Sequence, residues 1–270
     1  MTDFGPRLAE QLATRGRLCV GVDPHPQLLQ DWGLTADVAG LAECVRGMVD
    51  ALGDLVAVFK PQSALFEAFG SAGIGVLERF LAAADKAGAM VIMDAKRGDI
   101  GSTMAGYARA YLSNDSPLAA DALTVSPYLG FGSLTPAIQL AEATGRGLYV
   151  LCRTSNPEGS QVQLADAGGR SVAQLMVDEV NAANAGRDPG PFGLVIGGTL
   201  PGLDVDLTRF TGSILVPGIG AQGGTIDGLT ALFGSATDRV LPTSSRGIMG
   251  AGPNPDALRR AVTDALTEVS

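Results

Sequence analysis

The ten residues VIMDAKRGDI, at positions 91–100, carry the most specific chemical signal in the chain. A short apolar run, Val91 to Met93, leads directly into Asp94, Lys96 and Asp99. Charge at the end of a buried strand is costly unless it is paired or used. Side chains alternate faces along a strand, so Asp94 and Lys96 are expected on the same side. Asp99 falls beyond the strand end, where the chain is free to turn. The order minus, plus, minus therefore predicts a compact charge array at the mouth of a site. A structural ion pair at the rim of a sheet would use the same residues without chemistry.

The rest of the composition narrows what that chemistry can be. His25 is the only histidine, so a multi-histidine metal centre cannot form within one chain. It is flanked by Pro24 and Pro26 and reads as a loop residue. Catalysis must then rest on lysine, carboxylate and hydrogen-bonding groups. A net charge of −9 with no offsetting basic patch argues against a nucleic-acid polymer as partner. Hydrophobic content of 46% and charged content of 17% describe a well-buried globular protein. No apolar run approaches the length of a membrane span, and MTDFGPRLAEQL lacks the pattern of a secretory signal. Of three cysteines, Cys19 and Cys152 lie in apolar strand-like runs as core fillers. The expected compartment is the cytoplasm.

Elements must exist to position these groups. Eight short apolar runs recur along the chain: 18–22, 55–59, 90–93, 122–125, 147–151, 192–196, 213–217 and 239–242. Their uniform apolarity suits parallel strands buried on both faces. Between most of them lie segments with helical spacing, including 38–52, 72–88 and 171–184, and a last one at 255–269 opens with Pro255. Strand then helix, eight times in about 250 residues, predicts an α/β fold, a single (β/α)8 TIM barrel over residues 1–270. A doubly wound sheet would need a division into halves that the sequence does not offer. The longest irregular stretch, 153–169, falls after the fifth strand, on the face where barrels carry functional loops.

A barrel gathers its catalytic groups at the C-terminal ends of its strands. The first run here leads into Asp23, the second into Lys60, the third into Asp94 and Lys96, and the fourth into Ser126. The seventh leads into PGIGAQGG (217–224) and the eighth into Arg246. Glycine-rich backbone, including Gly220, together with the Arg246 guanidinium suits a phosphomonoester. Gly218, Gly220 and Gly223 also fit the dinucleotide pattern G-x-G-x-x-G, but no acid ends the following strand.

The segment DAKRGDIGST (94–103) resembles the D-x-K-x-x-D-I-x-x-T motif of the orotidine 5′-monophosphate decarboxylase family. Asp23 in GVDPHP, Lys60 in VFKPQ, Ser126 in VSPYLG, Gln222 in PGIGAQGG and Arg246 in SSRG fall at that family's other stations, in order. GVDPHP, KPQ and TSNPEG are most similar to its longer bacterial branch. The resemblance implies conversion of a pyrimidine nucleotide to uridine 5′-monophosphate and carbon dioxide, with no cofactor and no metal. It implies Lys96 as the acid that protonates C6, within a Lys60–Asp94–Lys96–Asp99 array. Asp23 and Lys60 would contact the ribose, Ser126 the pyrimidine, and Gln222 both base and phosphate, under a lid at 218–224. It further implies a homodimer in which Asp99, Ile100 and Thr103 reach the neighbouring site.

Two other activities use related parts. Magnesium-dependent sugar-phosphate decarboxylases and aldolases share the D-x-K-x-x-D strand end but carry an acid where this chain has Lys60. A lysine there would repel the cation. A non-catalytic nucleotide-binding barrel would not call for both lysines and both acids.

Overall fold

The eight apolar runs become eight parallel strands in a computed structural model, which describes residues 2–218 and 226–268. They are β1 (Cys19–Val22), β2 (Val58–Pro61), β3 (Met90–Arg97), β4 (Ala122–Val125), β5 (Gly147–Arg153), β6 (Phe192–Ile196), β7 (Ile214–Pro217) and β8 (Val240–Ser244). Each pairs with its sequence neighbours, and β8 returns to β1 to close the barrel. The expected (β/α)8 architecture forms.

The boundaries move most at the second and third strands. The run at 55–59 was expected as strand, but Leu55 and Val56 both donate to the Leu52 carbonyl and belong to the turn that ends the preceding helix. The strand therefore starts at Val58 and takes Lys60 inside it. The third strand continues past Met93 to Arg97, so Asp94 and Lys96 are strand residues rather than its sequel.

The outer helices follow their sequence signals closely. Val38–Leu52 begins where Asp37 Oδ1 accepts the Ala39 and Gly40 N–H groups, each at 2.9 Å. Helix Gly70–Lys86 ends at Gly88, whose φ of +73° lets Gly88 and Ala89 return hydrogen bonds to the last turn. Val172–Ala183 is capped by the Ser171 hydroxyl, and Pro255 opens Pro255–Glu268. The stretch at 153–169 is less irregular than expected. It contains a short helix, Ser160–Gln163, and is tied down where Gln163 Oε1 accepts the Thr154 N–H at 2.9 Å.

Two apolar layers result. One lies between barrel and helices; the other fills the barrel itself with residues such as Cys19, Val58, Ile92, Ala122, Leu215 and Leu241. An N-terminal helix, Phe4–Arg15, stands outside the eightfold alternation and closes the lower end of that interior. Phe4 is 1% exposed and meets Tyr149 edge to face, ring centroids 6.0 Å apart. Gly147 leaves room for it: a β-carbon there would lie 2.4 Å from the Phe4 ring.

Phe4 therefore acts as a plug. Phe4→Ala is expected to lower the unfolding free energy by about 3–5 kcal/mol. Urea denaturation measures it, and a loss under about 1 kcal/mol would show that the barrel interior does not depend on this ring.

Candidate active site

Strand periodicity builds the site on the barrel's inner layer. Two residues beyond Val58, Ile92, Ala122 and Leu241 on their own strands stand Lys60, Asp94, Thr124 and Thr243. All four polar residues are buried. The interior thus changes from apolar to polar within one pleat, at the C-terminal ends of the strands.

Asp94 is the hub, and each of its oxygens receives one ammonium and one neutral donor. Oδ2 accepts Lys60 Nζ at 2.8 Å and Gln62 Nε2 at 3.1 Å. Oδ1 accepts Lys96 Nζ at 2.6 Å and the Thr124 hydroxyl at 3.0 Å. Burial by itself would push the Asp94 carboxyl up. The charges of Lys60 and Lys96, with their hydrogen bonds, outweigh it and hold the group well below the ordinary carboxylate range. Burial likewise pulls the Lys60 ammonium down, but Asp94 and then Asp23 more than reverse this, leaving it above the ordinary lysine value. Lys60 and Asp94 are 5% and 6% exposed, whereas the Lys96 side chain is 44% exposed and reaches into open space above the pair.

Lys96 does not arrive there by simple alternation along a straight strand. Pairing with β4 passes from Met93–Leu123 to Arg97–Val125, a bulge in the third strand. Lys96 takes φ +47°, the one positive φ of a non-glycine among the described residues. Its N–H is satisfied by the Thr124 hydroxyl at 2.9 Å. Arg97 anchors the bulge from outside, paired with Glu67 and lying over the Tyr107 and Tyr111 rings at 5.5 and 5.9 Å.

The remaining expected residues fall into three groups. Asp23, after β1, lies close enough to act on Lys60, and its Oδ1 is buried with no partner among the described residues. Ser126, after β4, is half-buried and donates its N–H to the Arg97 carbonyl at 2.8 Å. Gly98 permits that approach, since a β-carbon would come within 2.3 Å of the Ser126 carbonyl oxygen. Asp99 does not join the cluster of its own chain. Its Oδ1 accepts only the next N–H, from Ile100, at 2.8 Å, and it makes no ion pair among the described residues. The turn at Gly98 carries it outward, so three of the four expected charges assemble within one chain. Ile100 is 62% exposed, and Thr103 is exposed on the following helix, Gly101–Leu112. Arg246 is exposed, with no side-chain partner among the described residues. Gly220, Gln222 and Gly223, and with them nearly all of the expected lid, lie outside the described residues.

Gln62 and Thr124 are site residues that sequence reasoning overlooked. Both had a signal: Gln62 is two residues beyond Lys60 on the same face, and Thr124 is the lone polar side chain in ALTV. His25 is exposed and takes no part. Cys19, beneath Lys60, is inert, its thiol pushed by burial up to about 12. No cluster of three or more His, Cys, Asp or Glu suited to a metal occurs among the described residues.

Fold and site together define a (β/α)8 barrel with a cluster of ammonium and carboxylate ions at the C-terminal ends of its strands. A profile of the "Orotidine 5′-phosphate decarboxylase / HUMPS family" matches residues 16–261, and the chain belongs to that family. An orotidine 5′-phosphate decarboxylase of Streptomyces coelicolor is 54% identical over 100% of this chain and 98% of its own length. One from Salinispora arenicola is 53% identical over 99% and 97%. Among solved structures, a Streptomyces avermitilis protein ascribed to the same activity superposes with a TM-score of 0.97 at 55% identity, covering 100% of this chain and 95% of that one. Leishmania donovani UMP synthase gives 0.78 at 31% identity, covering 100% of this chain and 57% of that one.

The Asp94 environment has a pH signature. Its folded-state pKa lies below the ordinary 3.8, so the ionised group favours the folded state above that pH, and the advantage is lost as pH falls toward the folded value. Asp94→Asn is expected to cost about 3–5 kcal/mol near neutrality. The gap from wild type should narrow by about 1.4 kcal/mol per pH unit below the unfolded pKa. Denaturant titrations between pH 7 and pH 3 measure this; a gap that stays constant would mean that Asp94 is not held as a buried anion.

Proposed function

We propose that this protein converts orotidine 5′-monophosphate to uridine 5′-monophosphate and carbon dioxide, the last step of UMP synthesis, without a cofactor. The observation that carries this reading is the Lys60–Asp94–Lys96 cluster at the C-terminal end of the barrel, with Lys60 and Asp94 buried and Lys96 exposed, in a chain of this family.

In the reaction the bond from C6 to the carboxylate breaks, carbon dioxide departs, and the electron pair stays on C6. That pair lies in the ring plane, where the π system delocalises it poorly, so fixed charge must stabilise it. The Lys96 ammonium supplies that charge and then its proton, which takes the place of the departing group. Lys96 suits the task because it is the exposed arm of an otherwise buried cluster. Asp94 disfavours the bound substrate carboxylate relative to the transition state. Lys60 keeps Asp94 ionised and, with Asp23, contacts the ribose. The unpartnered buried Asp23 Oδ1 supports a hydroxyl ligand there.

Ser126 reads the pyrimidine, Gln222 bridges base and phosphate, and Gly220 and Arg246 hold the phosphate. We read the working unit as a homodimer in which Asp99, Ile100 and Thr103 complete the neighbouring site. Asp99 pairs with no cation among the described residues of its own chain, and Ile100, Tyr128 and Leu129 are exposed apolar side chains on the loops after β3 and β4. No helix among the described residues is long and apolar enough to cross a membrane, in keeping with a cytoplasmic enzyme acting on a small nucleotide.

An ultraviolet assay of purified protein with orotidine 5′-monophosphate tests the reading. Turnover is expected to survive EDTA. Activity lost to the chelator and restored by magnesium would favour a sugar-phosphate enzyme of the same family, and tight nucleotide binding without turnover would indicate a binding protein. Lys96→Ala is expected to abolish turnover while leaving the fold intact; substantial residual activity removes Lys96 as the acid.

The dimer has its own test. Lys96→Ala and Asp99→Asn chains, each inactive alone, are unfolded, mixed in equal amounts and refolded together. Random pairing reconstitutes one intact site in half of the dimers, returning roughly a quarter of wild-type activity. If Asp99 served its own chain instead, the mixture would stay inactive.

A further inference from the structure

We propose that Thr124 is a positioning residue of this site, holding Lys96 and Asp94 in the geometry that the reaction uses. The inference rests on the function proposed above for what that geometry accomplishes, but its physical basis is independent of it.

The bulge in β3 creates a problem that Thr124 solves. Between the Met93–Leu123 and Arg97–Val125 pairs, β4 offers only Thr124 opposite residues 94–96. The Lys96 N–H is thereby left without a ladder carbonyl, at a residue whose φ of +47° is disfavoured for any side chain with a β-carbon. Such a conformation persists only where the surroundings impose it. Here the Thr124 oxygen accepts that N–H at 2.9 Å, and its own hydrogen has Asp94 Oδ1 at 3.0 Å as the nearer acceptor, ahead of the Met93 carbonyl at 3.4 Å. One hydroxyl thus fixes both the backbone of the lysine and the rotamer of the carboxylate that the lysine meets.

No other group of the cluster has this double connection. Gln62 holds Oδ2, and Lys60 pairs with it, but neither touches the Lys96 backbone. Thr124 is 1% exposed, below the opening into which Lys96 projects, so it acts through its neighbours and not on the substrate. Valine has the same shape and fits a buried strand at least as well. Only the hydroxyl gives threonine an advantage at this place. Without it, Lys96 is free to relax toward extended backbone, and its ammonium leaves Asp94 Oδ1.

Thr124→Val and Thr124→Ser separate the hydroxyl from the shape. The valine variant is expected to lose about ten- to a hundredfold in kcat with KM within about threefold of wild type, the pattern of a lost transition-state alignment. The serine variant should recover most of kcat. Crystal structures supply a readout that does not depend on turnover. In the valine variant Lys96 should leave the left-handed region, with Nζ more than 4 Å from Asp94 Oδ1; in the serine variant it should stay. Should valine not be accommodated, Thr124→Cys, with a much weaker hydrogen-bonding group, reads the same two quantities.

Valine at full kcat, serine falling as far as valine, or a valine structure with Lys96 unmoved would each overturn the proposal. If wild-type protein does not turn over orotidine 5′-monophosphate, the proposed function fails by itself. The Lys96 geometry of the variants then still decides whether Thr124 positions it.

Discussion

A carboxylate held between two ammonium groups inside a barrel is the interaction on which this structure turns. Taking any one of these ions out of water costs several kcal/mol after relaxation, and the cost is recovered only where geometry is close and the remaining lone pairs are filled. Asp94 meets that condition with four donors, two charged and two neutral. The cluster of Lys60, Asp94 and Lys96 still carries one positive charge in excess. An anion placed against Lys96 would neutralise it, while one placed against Asp94 would be repelled. On the proposed function, a substrate that changes from a carboxylate to a carbanion and then to a neutral product would be matched by such an arrangement: attraction concentrated where the lysine stands, and repulsion where the departing group would be held.

The barrel supplies the rigidity that this arrangement needs. Lys60, Asp94 and Thr124 each stand one pleat above an apolar residue packed in the interior, so their stems leave a filled core and cannot tilt freely. The same strand order sets the charges side by side, because β2, β3 and β4 are consecutive neighbours. The site is therefore a property of the sheet, built on the elements least able to move. Residues beyond the strand ends, Asp99 in its loop and Arg246 at the start of a short helix, Arg246–Met249, stand in no such register.

Much of this was legible in the residues themselves. Eight apolar runs gave eight strands, and the groups expected at the C-terminal end of the barrel lie there wherever the structure describes them. What could not be read is what depends on pairing between distant segments. The bulge at Lys96 follows from the register of β3 against β4, which no local pattern encodes. Thr124 looked like one more β-branched strand residue because its hydroxyl has meaning only opposite that bulge. Leu55 and Val56 read as strand because apolarity does not distinguish a buried turn from a buried strand. Asp99 stands apart from Lys60, Asp94 and Lys96 because the chain turns outward after Lys96, and spacing along the sequence does not show that turn.

On the proposed function, the two ends of the substrate would be handled by groups of opposite character. Toward the base, Lys60 and Asp94 are buried and Asp94 already holds four donors, so little rearrangement is needed when the ligand arrives. Toward the phosphate, Arg246 is exposed with no side-chain partner among the described residues, whereas Arg153, the buried arginine of β5, is committed to Asp204 at 3.0 Å. Arg246 is thus a cation still in water, free to give its full interaction to a phosphate as the ligand is enclosed. Binding energy gained there, away from the bond that breaks, can hold the base against charges that by themselves would not favour the bound carboxylate. A prearranged cluster that opposes the ground state and a solvated cation that draws the ligand in complement each other. The first sets how far the barrier falls, and the second provides the free energy that keeps the substrate in place while it does.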